Sequence, residues 1–153
     1  MLTLWIIPFL LQAPLIVFDE WVFHRKRRLP RWERIGHPLD TLSVAICLFL
    51  PSFTTYSPSL LKLYIFLGIL SCLMVTKDEW IHKHHCPATE HWVHALLFLN
   101  HPILLTSAGF LWIANPSWAT PFLKAQLCFA TAFMLYQAIY WNIWVQNETE
   151  QKS

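Results

Sequence analysis

The stretch Lys77-Asp78-Glu79-Trp80-Ile81-His82-Lys83-His84-His85-Cys86-Pro87-Ala88-Thr89-Glu90-His91-Trp92-Val93-His94 decides how this chain folds. It holds five of the eight histidines and three of the nine acidic residues, and long apolar runs flank it on both sides. Residues 19–37 read as an earlier copy. Asp19, Glu20 and Trp21 align with Asp78, Glu79 and Trp80 at a spacing of 59, and His24 aligns with His82 at 58. Pro30, Glu33 and His37 then align with Pro87, Glu90 and His94 at 57. Each copy is an acid, a His three or four residues later, a Pro turn, and Glu-x-x-x-His. Such a repeat predicts a duplicated helical hairpin.

The rest of the composition places that hairpin in a membrane. Of 153 residues 56% are hydrophobic, 16% aromatic and only 13% charged. A soluble domain of this length would struggle to bury so much apolar surface, and the apolar runs approach spanning length. Six of the eleven basic residues fall between Arg25 and Arg34. Apolar segments close on both sides of that cluster argue against a nucleic-acid surface. Cys47, Cys72, Cys86 and Cys128 show no CxxC spacing and suggest no disulfide framework. Cys47, Cys72 and Cys128 read as small buried apolar residues. The N-terminus lacks a basic n-region and a small-residue cleavage site, so its apolar segment reads as a retained helix.

The fold class expected is an all-α integral membrane protein of about five transmembrane helices. Two helix-hairpin repeats, 1–56 and 57–114, form a four-helix metal-binding bundle; a fifth helix, 119–145, and a polar tail, 146–153, complete a single domain. Helix one is the apolar segment 2–18 continued through His24. Helix two starts near Pro30 or Arg31, which suit a first turn, and ends before a Ser/Thr/Pro turn at 51–58. Helix three spans 59–85 and breaks before Pro87. Helix four runs from there to about Ile113, with a kink expected at Asn100-His101-Pro102, and helix five covers 122–145. The basic linker belongs in the cytoplasm by the positive-inside rule. Five spans then put the N-terminus outside, with both polar boxes and the C-terminus on the cytoplasmic side.

Residues three or four apart share a helix face, so Glu20/His24, Glu33/His37, Glu79/His82 and Glu90/His94 each present a carboxylate beside an imidazole. Four such pairs suit two metal ions: bridging carboxylates offset the repulsion between adjacent cations, and imidazoles complete the shell. The ligands expected are Glu20, His24, Glu33, His37, Glu79, His82, His85, Glu90 and His94. Asp19, Asp40, Asp78, His84, His91 and His101 either orient those ligands or join them. Iron is the metal expected, with zinc and manganese as alternatives; the boxes offer too few thiols for an iron–sulfur cluster. Trp21 and Trp80 read as packing or interface residues. No catalytic group beyond the ligands stands out.

At His82-Lys83-His84-His85, His91-Trp92-Val93-His94 and His24 the chain resembles the membrane-bound histidine-box di-metal enzymes: fatty acid desaturases, hydroxylases and alkane hydroxylases. The resemblance covers the two boxes, and the Glu/His pairing is also similar to the ferritin-like pattern. It implies dioxygen use, electrons from a donor protein, and hydroxylation or desaturation of a lipid or other apolar substrate. The charge pattern gives no nucleic-acid partner, and the sequence leaves a homo-oligomer open. Two rival expectations are a zinc-dependent intramembrane lipid hydrolase and a metal transporter or sensor.

Overall fold

The computed structural model describes residues 2–77 and 87–145. These residues are helical throughout, with no strand among them. Five helices are long and apolar enough to cross a membrane: α1 Leu2–His24, α2 Arg31–Phe53, α3 Pro58–Thr76, α4 Ala88–Ala114 and α5 Ala119–Trp144. They support a membrane protein, as the composition implies.

Local chemistry sets the ends of these helices. Ser57 caps α3 by accepting from the Leu60 amide at 3.3 Å, and Pro58 takes the first-turn position whose amide would have no partner. Asn115 ends α4 in the left-handed region at φ 42°, a conformation Asn tolerates. Arg28 sits at φ 61°, so the basic linker reverses through a strained residue. The turn expected at Pro51 begins instead at Thr54, because α2 continues to Phe53. The hydroxyls of Ser52 and Thr54 donate back to the Leu48 and Leu50 carbonyls, both at 2.7 Å, tying these side chains to the last turns of α2. Pro102 lies within α4, which runs unbroken through it.

α1 packs along α4, and α2 packs along α3 and, most extensively, α5. Two contacts per helix pair run in opposite order along the chain, so the neighbours are antiparallel: Gln12–Asn100 and Asp19–His94 for α1/α4, Ser43–Ser71 and Asp40–Lys77 for α2/α3, Tyr64–Leu105 and Ser71–His101 for α3/α4, and Thr41–Gln137 and Arg34–Trp141 for α2/α5. Away from the polar boxes the bundle closes on Cys47, Leu48, Leu104, Ala108, Leu111 and Leu123. Small residues let backbones approach there: the Tyr64 ring lies against Gly109, where an added Cβ would meet it at 3.1 Å. Large apolar side chains such as Leu10, Phe66, Leu73 and Leu99 face outward, an arrangement hydrocarbon solvates and water does not. Cys47 is buried as expected, whereas Cys72 is half-buried and Cys128 is exposed on the same outer surface.

Candidate metal centre

The last turn of α1 is a π turn, Glu20–His24, in which the Arg25 amide bonds the Glu20 carbonyl five residues back. Such turns bring residues five apart onto one face. Asp19 and His24 are thereby paired, and α4 adds Glu90 and His94 by ordinary four-residue spacing. One ligand atom from each of Asp19, His24, Glu90 and His94 lies within 4.8 Å of the others, and all four residues are buried. Donor atoms on opposite sides of a first-row metal ion stand about 4.2 Å apart, twice a typical bond, so small side-chain shifts would close this group around an ion.

Proton placement strengthens that reading. Glu20 is 1% exposed and its oxygens are well occupied. Oε1 accepts from Trp141 Nε1 at 2.8 Å and from the Tyr136 hydroxyl at 2.9 Å, and Oε2 lies 3.2 Å from His24 Nδ1. A proton on Nδ1 makes that last contact a hydrogen bond and leaves a lone pair on Nε2 of neutral His24. Nε2 then faces Asp19 Oδ2 at 3.1 Å and Glu90 Oε1 at 3.9 Å. It has no hydrogen-bond partner among the described residues. Carboxylates crowded on that nitrogen in a buried space call for positive charge, which a second proton on the ring or a metal ion would supply. His94 Nε2 reaches the same carboxylate, 3.2 and 3.1 Å from the two Asp19 oxygens.

The structure therefore gives Asp19 and Glu20 surroundings different from those expected. Asp19 looks into the donor group, while Glu20 backs His24 and is held by α5. Glu33 is fully buried on α2 but lies outside the group of four. His37, one turn on, stacks on His24 with ring centroids 4.7 Å apart. Asp40, expected to orient His37, has its oxygens 2.6 and 2.7 Å from the Lys77 ammonium. His91 is half-buried and His101 lies two turns from the group. Asp78, Glu79, His82, His84 and His85, with Trp80, fall outside the described residues. Periodicity offered no signal for Tyr136 and Trp141 as donors to Glu20; they read only as an aromatic helix end. Trp21 does pack, stacking on Tyr136 at 6.0 Å, with the Arg25 guanidinium 4.3 Å above its ring. Arg25 also donates to the Tyr136 hydroxyl at 3.3 Å, which holds its pKa above the usual guanidinium value.

The donor group opens into a chamber of about 150 Å³ inside the bundle. Asp19, Glu20, His24, His37 and His94 line one end; Phe9, Leu48, Leu104 and Ala130 line the other. A void of this size holds a small ring or a short stretch of hydrocarbon. α1 and α5 form no extended seam: Phe9–Phe122 at 5.1 Å joins them at one end, and Trp21–Tyr136 with the Glu20 bonds to Tyr136 and Trp141 joins them at the other. Between those pairs Ala13 and Ile16 of α1 and Gln126 and Phe129 of α5 line the chamber, and Phe129 is also exposed on the outer surface. No family model, curated protein or solved structure matches the chain.

Proposed function

We propose that the chain is a membrane-embedded metal enzyme, a di-iron oxidoreductase that uses dioxygen to hydroxylate or desaturate a lipid or other apolar substrate. The observation that carries this reading is the buried Asp19/His24/Glu90/His94 group, with the His24 Nε2 lone pair turned into it, beside an apolar chamber. Two carboxylates and two imidazoles without thiolate suit iron, manganese or zinc. His37 brings a further imidazole from α2 against His24, and Glu33 lies one turn before it on the same helix, which is the support for a second ion. Bound iron would supply dioxygen activation. The chain's own residues would hold the metals, fix the His24 tautomer through Glu20, and keep water from the reacting carbon. The lateral gap suits a substrate that arrives from the bilayer. On this reading the basic linker marks the cytoplasmic face, and a donor protein delivers electrons there.

Elemental analysis of protein purified without a metal-affinity tag, followed by oxygen uptake with a chemical reductant, tests the reading. Two irons per chain and reductant-dependent uptake are expected; absence of stoichiometric metal overturns it. One observation favours a second reading: two oxygen and two nitrogen donors already fill a tetrahedral zinc shell. Stoichiometric zinc without oxygen uptake would select a lipid hydrolase. Transport is disfavoured because the donors gather at one end of the bundle, away from the midplane a carrier uses.

A further inference from the structure

α4 carries another buried histidine that metal binding does not employ. His101 is 4% exposed and lines the chamber. Its Nε2 lies 3.0 Å from Ser71 Oγ on α3, and Ser71 Oγ lies 2.7 Å from Ser43 Oγ on α2. Ser43 in turn donates to the Asp40 backbone carbonyl at 2.7 Å. One arrangement of protons satisfies all three bonds. A carbonyl only accepts, so it takes the Ser43 hydrogen. Ser71 must then donate to Ser43, and its oxygen must accept from His101. His101 therefore carries its proton on Nε2 and a bare lone pair on Nδ1. Ser71 is the one hydrogen-bond partner of His101 among the described residues. Because the chain of bonds ends on a carbonyl, which passes no proton on, it orients the ring rather than conducting protons.

We propose that this lone pair receives the hydroxyl group of an apolar alcohol drawn from the bilayer through the α1–α5 gap. The seven-residue step from His94 to His101 rises about 10 Å along the helix. The first carbons of an alcohol anchored at His101 thus lie in the chamber that the donor group also lines, and a longer chain trails out through the α1–α5 gap. Ketones, esters and ethers offer the ring only lone pairs, and a buried acceptor left unmatched rejects them. The hydroxyl site deepens the enzymatic reading above by naming its substrate class, and it rests on that reading for the fate of the bound molecule but not for binding.

The test is equilibrium binding of radiolabelled 1-hexadecanol and of its methyl ether to the protein in lipid nanodiscs, once after chelation and once after loading with iron. Wild-type protein is expected to bind the alcohol about tenfold more tightly than the ether, and His101→Phe to bring the two within about twofold with ether affinity and iron content kept. Should His101→Phe fail to fold, Ser71→Ala frees the ring to change tautomer and is expected to cut the preference about threefold. Equal affinities in the wild type, the result if Nδ1 merely holds a water, overturn the proposal. So does a preference that survives in His101→Phe. A preference in both the stripped and loaded protein without oxygen uptake would sink the oxidoreductase reading alone. Loss of preference with iron bound and oxygen consumed would sink this inference alone.

Discussion

His94 and His101 stand two turns apart on α4, both almost wholly buried, and their surroundings differ in kind. His94 faces a carboxylate that two other buried donors also approach; His101 faces a hydroxyl chain that carries no charge. Neutral partners can satisfy one another with a fixed set of protons. Anionic partners crowded in a low-dielectric space cannot, and need a cation. The two turns of helix between these histidines thus separate a group that could hold a metal ion from one that neutral partners complete.

The contrast can be broken hardest at Asp19. Replacing it by Ala removes the carboxylate that both His24 and His94 approach, and metal affinity is expected to fall by more than ~100-fold, measured by competition with a chelator. Glu20→Gln keeps the shape of the backing residue but weakens its grip on His24 Nδ1; a loss of about 10- to 100-fold in metal affinity is expected. Trp141→Phe deletes one hydrogen bond to the buried Glu20 carboxylate. Thermal unfolding in detergent should show a loss of about 2 kcal/mol, with Tyr136 still in place. Lys77→Met breaks the pair with Asp40 at the same end of the bundle. Because the Lys77 side chain is 38% exposed, the expected loss is under about 1 kcal/mol, and metal content should not change. A large loss of metal in that last variant would erase the distinction between the donor group and the charges around it.

The five helices were legible because Leu, Ile and Phe recur in runs of spanning length and because Pro, Ser, Asn and aromatic residues punctuate them. The misplaced α2 end shows where that reading stops: Pro51 looks like a breaker, yet α2 runs on to Phe53 and ends at Thr54. In the donor group, four-residue spacing pairs Glu20 with His24, as found, and leaves Asp19 either an orienting partner or a ligand. The π turn brings Asp19 into the group beside His24. A trace of it lies in the repeat itself, since the spacing drops from 59 at Trp21/Trp80 to 58 at His24/His82, a one-residue difference of the kind a helix absorbs by widening a single turn. The Trp141 and Tyr136 contacts were not legible, because they join residues 121 and 116 positions apart and depend on how α5 docks. The tautomer of His101 likewise follows from three helices meeting, not from any one segment.

In a bilayer, a gap between α1 and α5 that faced hydrocarbon would change what concentration means for the protein. A molecule that approaches sideways is sampled at its mole fraction in the bilayer, not at its level in water. Adding inert lipid at constant bulk substrate should therefore slow saturation in proportion to surface dilution. Acyl-chain order beside Phe129 then becomes a control on access that no aqueous titration would reveal.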